Sequence, residues 1–256
     1  MYILIKELGE SLLRNIRLLG ASKPSPQYIN NIEALRRDGI SVIPKFLSRK
    51  TCEEMIGKID SYVESDAVNV WRDDEGADNR IFFINELDES FSEFYENKEI
   101  RNYLSSYLGI SNPKGMLLAA KITFTEDNKG SGGGWHRDSP VSHQFKSVCY
   151  LNDVGTKNGC FQFIKSSHLK SNVLSSYFYK IFKPGQFRFS ESDVNNYLLH
   201  NKSKVDSIEG SAGDLVLVDT KGIHRGRPLE GGVRYALFCY FWNNKIPDHF
   251  LNLRQK

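Results

Sequence analysis

Two hydrophobic rhythms divide the chain. Through residue 110, apolar side chains recur at helical spacing; from residue 117 onward they come as short β-rich runs. Leu4, Leu8, Leu12, Ile16 and Leu19 form one stripe, with Lys6, Glu10, Arg14 and Arg17 off it, which predicts an amphipathic helix within residues 1–20. Ser25-Pro26 is a helix start, and Gly39 stops that helix after Arg37. Ile40–Ile43 reads as a short strand. Pro44 and Ser48 then lead into a helix carrying Met55, Ile56, Ile59 and Val63 on one side. A third helical block covers 86–108, with a break at Asn97, and the acidic stretch 71–80 reads as a loop.

The second half predicts strands at 116–124, 146–151, 160–164, 214–218 and 234–242, rich in Val, Phe, Tyr and Cys. Gly and Asn clusters at 128–134, 152–159, 210–213 and 231–232 punctuate them. Such strands suggest a sandwich or jelly roll, and a helical first half covering one face makes a single α+β domain. Within 1–256 the expected parts are a helical extension (1–35), a helical support (36–115), the jelly-roll core (116–168 and 206–245) and an insertion (169–205). The insertion holds Tyr177, Phe178, Tyr179, Phe182, Phe187 and Phe189 around Pro184-Gly185, and its length suggests a lid.

Composition narrows the partners. The 256 residues carry 34 Lys and Arg against 31 Asp and Glu, so the net charge of +3 argues against a nucleic-acid binder. Cys52, Cys149, Cys160 and Cys239 form no C-x-x-C pair and read as buried reduced thiols of a cytoplasmic protein. No run reaches the roughly 18 apolar residues that a membrane span needs. Residues 1–20 lack the apolar core and cleavage site of a signal peptide. Their stripe has two readings, packing against the body or peripheral docking on a membrane surface.

The chemistry concentrates in Gly132-Gly133-Gly134-Trp135-His136-Arg137-Asp138. In an extended segment His136 and Asp138 share one side, so an imidazole and a carboxylate can grip one metal ion. His224, after the 215–218 strand and the turn at 220–222, is the candidate third ligand. Two His and one carboxylate on one triangular face leave positions open, the arrangement of non-haem Fe(II) oxygenases. An isolated H-x-D is weak evidence, because His136 also fits an exposed loop and Asp138 a turn before Ser139-Pro140. Arg234 opens the last strong strand, and its fork suits a carboxylate. Arg225 and Arg227 compete for that role.

The ordered set His136-x-Asp138, Tyr150-Leu151-Asn152-Asp153, Asn158-Gly159-Cys160, Ser166-Ser167-His168, Ala212-Gly213-Asp214-Leu215, His224 and Arg234 resembles the phytanoyl-CoA dioxygenase family. Asp38 to Ile43, Phe46-Leu47-Ser48 and the 52–63 helix resemble its N-terminal opening, so the likeness covers 36–242. It implies a double-stranded β-helix, a jelly-roll or cupin-like core, in an Fe(II)- and 2-oxoglutarate-dependent dioxygenase. It implies that His136, Asp138 and His224 bind iron, that Arg234 binds the far carboxylate of 2-oxoglutarate, and that Thr123 contacts this cosubstrate. With O2, such an enzyme releases succinate and CO2 while hydroxylating a small organic substrate. Related halogenases have Gly or Ala where Asp138 stands, so hydroxylation is the expectation. The family's Pro-Gly-Ser-His turn is replaced here, which makes His168 a structural residue. Trp135, Arg80, Arg137, Arg225 and Arg227 are the candidate contacts to an anionic, glycan- or lipid-linked or natural-product substrate; each also fits a core or solvated position. His143 and His200 read as surface residues. The rivals are a nucleic-acid or protein demethylase with the same iron centre and a non-catalytic jelly-roll binding protein.

Overall fold

The computed structural model describes residues 2–19, 24–65, 68–110, 113–139, 145–242 and 245–255, so the expectation for His143 lies outside the described residues. The element order is α1 (Tyr2–Leu19), α2 (Ile29–Asp38), β1 (Ile40–Ile43), α3 (Arg49–Glu64), β2 (Trp71–Arg72), β3 (Asp78–Phe82), α4 (Glu89–Tyr95) and α5 (Lys98–Leu108). It continues with β4 (Lys114–Thr123), β5 (Phe145–Tyr150), β6 (Phe161–Ile164), α6 (Lys170–Phe178), α7 (Glu191–Asn201) and β7 (Val205–Ile208). β8 (Leu215–Asp219), β9 (His224–Gly226), β10 (Val233–Trp242) and α8 (Asp248–Leu251) complete it.

Local signals explain the boundaries. Gly39 ends α2 at φ +85°, where its amide bonds the Leu35 carbonyl. The Ser48 hydroxyl accepts the Thr51 amide and starts α3. Asn97 breaks the third helical block because its side chain takes the Glu99 and Ile100 amides and begins α5. The stretch 71–80 is not a loop: β2 and β3 pair there as a hairpin, with Trp71 opposite Arg80. Its turn is tied by the Asp73 carboxylate, which accepts the Asp78 amide at 2.9 Å. Two-residue β2 is too short for alternation to show in sequence.

The strands form a seven-stranded antiparallel sheet in the order β1-β8-β5-β10-β4-β3-β2 and a three-stranded sheet in the order β7-β6-β9. Side-chain alternation sorts the large sheet into two faces. Leu117, Ala119, Phe145, Cys149, Leu215, Leu217, Leu237, Cys239 and Phe241 pack with α2, α3, α4 and α5 residues such as Leu35, Ile59, Phe91 and Leu104. Val148, Tyr150, Val216, Val218 and Ala236 face the other way, against Phe161 and Phe163 of the small sheet. The four cysteines are buried and free.

α1 reverses the packing expected of its stripe. Arg14 donates to the Tyr107 carbonyl at 3.2 Å and covers the Tyr107 ring, and Arg17 reaches the Leu108 carbonyl. Leu8, Leu12, Ile16 and Leu19 are exposed. The helix docks through polar anchors, an arrangement that apolar periodicity does not encode. Among the described residues no helix is long and apolar enough to cross a membrane.

Gly39 supplies a test of the α2–β1 corner. A Cβ there would lie 2.5 Å from His168 Nδ1 and 2.9 Å from the Phe163 ring, in a left-handed backbone conformation. Gly39→Ala is expected to lower unfolding stability by about 1–3 kcal/mol in urea titration, with an unchanged m-value.

Candidate metal centre

The H-x-D segment is held by backbone before any metal is considered. His136 and His224 exchange both amide–carbonyl bonds, each 2.9 Å, so they form a two-residue antiparallel bridge. The Asp138 amide donates to the Thr220 carbonyl at 3.1 Å, extending the contact to the β8–β9 turn. The other flank is secured by the insertion: the Arg137 amide bonds the Phe187 carbonyl, and the Phe189 amide bonds the Trp135 carbonyl. The glycine run has a steric reason, because a Cβ at Gly132 (φ +88°) would strike the His136 ring.

These pairings set the two imidazoles 4.3 Å apart by ring centroid. Each Nδ1 donates to the carbonyl two residues earlier, His136 to Gly134 and His224 to Gly222, both at 2.8 Å. That tautomer leaves each Nε2 lone pair free. His136 Nε2 lies 3.7 Å from Asp138 Oδ1, and His224 Nε2 lies 3.9 Å from Asp138 Oδ2. One donor atom from each residue fits within 4.8 Å of the others, a spacing suited to one shared cation.

The electrostatics favour the metal-ready forms. Burial lowers the pKa of both histidines, and His136 pushes His224 further, to about 3, so both are neutral near pH 7. Burial is the largest influence on Asp138 and opposes its charge, but the Lys146 ammonium 2.6 Å away, together with His224 and His136, outweighs it and holds the carboxyl well below its usual range. Lys146 is itself buried, with its ammonium 3.9 Å from the Tyr240 ring centroid.

A cavity of about 610 Å³ opens over the three side chains, within the usual range for small-molecule sites. Alternation brings Arg80, Lys146 and Arg234 to it from β3, β5 and β10. Arg234 is 2 % exposed; it donates to the Gly159 carbonyl, and its Nε has no hydrogen-bond partner among the described residues. Arg80 pairs with Asp78 at 2.5 Å and reaches Ser131 at 3.3 Å.

The structure thus brings His136, Asp138, His224, Arg234 and Arg80 together around the cavity, which Arg137 also borders with its guanidinium turned toward the insertion and α1. It does not bring Thr123, Trp135, Arg225 or Arg227 to the lining. Thr123 is exposed at the end of β4, one step out of phase with inward Ile122. Trp135 is buried with Phe182 and Phe189, because alternation turns it away from His136. Arg225 lies 4.3 Å over the Trp135 ring and pairs with Glu191, while Arg227 pairs with Glu230. Arg137 is buried and spent on the Tyr177 hydroxyl, the Gln186 carbonyl and Glu7. His200 bonds Ser175 on the surface, and His168 reaches the Arg36 carbonyl as a structural contact. Sequence reading missed Lys146 and Arg188; a lysine inside the wholly buried run 145–150 was the available signal for the first.

A model of the phytanoyl-CoA dioxygenase (PhyH) family matches residues 35–233. No curated protein sequence matches the chain. Among solved structures, the epimerase SnoN in complex with Fe3+, alpha ketoglutarate and nogalamycin RO is 14 % identical, with a TM-score of 0.65 over 89 % of each chain. HygX from Streptomyces hygroscopicus, with nickel, 2-oxoglutarate and hygromycin B, is 12 % identical, with a TM-score of 0.59 over 83 % of this chain and 86 % of its own. EctD from S. alaskensis with bound Fe is 14 % identical, with a TM-score of 0.61 over 83 % of this chain and 75 % of its own. These likenesses establish a shared fold, and the family match over most of the chain agrees with the site built above. The chain belongs to the phytanoyl-CoA dioxygenase family and is a non-haem iron oxygenase dependent on 2-oxoglutarate.

Proposed function

We propose that His136 Nε2, the Asp138 carboxylate and His224 Nε2 hold the ferrous ion, and that the enzyme hydroxylates a small organic anion. The carrying observation is the convergence of two free Nε2 lone pairs and an ionised carboxylate at one point of a cavity that also holds a buried arginine. The donor set fits iron: imidazole nitrogens and one carboxylate on one face, with the cavity side open. Bound iron, together with 2-oxoglutarate and O2, supplies the oxidising power for the attack on a C–H bond.

The chain's own residues bind, orient and exclude water. Gly134 and Gly222 carbonyls fix the tautomers. Lys146 keeps Asp138 ionised and holds its Oδ2, so that Oδ1 is the freer oxygen for the metal. Arg234, buried and with an unused Nε, receives the far carboxylate of 2-oxoglutarate. The substrate lies against Phe187, Phe238, Tyr240 and Phe250, which shed water from the cavity. Arg188 at the rim bonds the Gly132 carbonyl at 2.8 Å and has no carboxylate partner among the described residues, which suits an anionic substrate group. SnoN is solved with nogalamycin RO and HygX with hygromycin B, which supports a small-molecule substrate here.

His136→Ala and His224→Ala are expected to reduce Fe(II) affinity, with Mn(II) as surrogate, by at least about a hundredfold and to abolish succinate formation; calorimetry and product analysis check both. Arg234→Ala is expected to raise the KM for 2-oxoglutarate by about tenfold to a hundredfold while Mn(II) affinity stays at the wild-type value. In a panel of matched anionic and neutral aryl compounds, the anionic members are expected to stimulate succinate release, and Arg188→Ala to erase their advantage without changing the KM for 2-oxoglutarate.

A further inference from the structure

A second cavity, of about 330 Å³, lies between α1 and the start of α6 and shares no lining residue with the iron cavity. Its walls are apolar: Leu4, Leu8 and Leu18 from α1, and Leu169, Val173 and Leu174 from the α6 segment. Its charge is basic. Arg14, Arg36, Lys170 and Lys221 line it against the single carboxylate of Glu7. Glu7 is itself engaged by the Tyr177 hydroxyl at 3.0 Å and by Arg137 at 3.6 Å.

Lys221 is the decisive residue. It is 7 % exposed, and its ammonium has no hydrogen bond or ion pair among the described residues. The nearby Asp219 carboxylate is used otherwise, taking the Tyr107 hydroxyl at 2.6 Å and the Lys221 backbone amide at 3.1 Å. A buried lysine is ordinarily paired, because an unpaired buried charge is costly. Burial lowers the Lys221 pKa, opposed by the Asp219 and Glu7 carboxylates and aided by Arg137 and Arg14. An apolar cleft lined by a largely buried lysine with two arginines beside it is complementary to an anionic head joined to a short hydrocarbon tail.

We infer that this cavity binds an anionic amphiphile, its carboxylate or phosphate head on Lys221 with Arg14 and Arg36 nearby, and its tail between α1 and α6. The inference rests on the second cavity alone and is independent of the iron assignment. α1 then has a role beyond covering the body, since it forms one wall of the site and its anchors Arg14 and Glu7 line the same cleft.

The test uses the full-length protein with octanoate, octanol and inorganic phosphate as probes in calorimetry. Octanoate is expected to bind at one site, and octanol and phosphate each more weakly by at least about tenfold, since each lacks one half of the recognition. Lys221→Met is expected to weaken octanoate by about tenfold or more. Its melting temperature without ligand should equal or exceed that of the wild type, because Met keeps the hydrocarbon stem at this largely buried position and removes a charge that burial disfavours. Leu174→Asp, placed in the apolar wall, is expected to weaken octanoate likewise. Octanoate affinity unchanged in Lys221→Met would put the ligand elsewhere and overturn the inference, as would a lower melting temperature in that variant. Co-sedimentation with oleate-doped phosphatidylcholine vesicles, lost in Lys221→Met, identifies a bilayer as the source of the anion; octanoate binding without it identifies a free one.

Discussion

The structure depends on one constraint: a sheet covered on both faces must separate its side chains by parity. On β5 and β10 every second residue enters the helix-covered core, and the intervening ones face the cavity. A shift of one residue in register would move Arg234 and Lys146 into the aliphatic layer beside α2–α5. It would also put Leu237 and Phe241 into the site. The register is therefore fixed twice, by the cost of burying charge among hydrocarbons and by the gain from burying the apolar face. Arg234 opposite Ile122 and Ala236 opposite Ala120 show the outcome, with small or aliphatic residues beside the buried guanidinium.

The same parity organises the candidate metal centre on a smaller scale. His136 and Asp138 face the cavity, so Trp135 and Arg137 must point elsewhere, and each anchors something different. Trp135 fills the cluster beneath the insertion with Phe182 and Phe189. The amide–carbonyl bridge to His224 then makes the two histidines a single backbone unit, and each ring is oriented by its own Nδ1 bond to the Gly134 or Gly222 carbonyl. Lys146 completes the unit by supplying a positive charge that a buried carboxylate requires.

Much of this was legible in sequence. Gly39, Ser48 and Asn97 each announced a helix boundary through their own chemistry, and the long β-rich runs announced β4, β5, β8 and β10. The H-x-D pair and its distant histidine were visible as residue types. What sequence could not show was pairing between short pieces. β2, β7 and β9 have two, four and three residues, too few for a period to emerge. Arg225 and Arg227 stayed open as substrate contacts beside Arg234 because their carboxylate partners, Glu191 and Glu230, are defined only by the fold. Thr123 lies off the cavity lining for a related reason: proximity along a strand does not give the face, and its neighbour Ile122 took the inward position.

The parts least recognisable by pattern are mechanically tied to the most recognisable one. Arg137 stands between two residues of the candidate metal site, and parity sends its guanidinium away from them into a pocket formed by the insertion and α1. There it meets the Tyr177 hydroxyl at 2.8 Å, the Gln186 carbonyl at 3.1 Å and the Glu7 carboxylate at 3.6 Å. Removing this guanidinium would leave Glu7, itself 7 % exposed, without its cation. It would also release the two segments that flank the cavity beside His136. The same residue that spaces His136 from Asp138 therefore fixes α1 and the insertion to the centre. Variation in those segments can reshape the walls of either cavity, while the backbone bridge between His136 and His224 keeps the metal-site geometry constant.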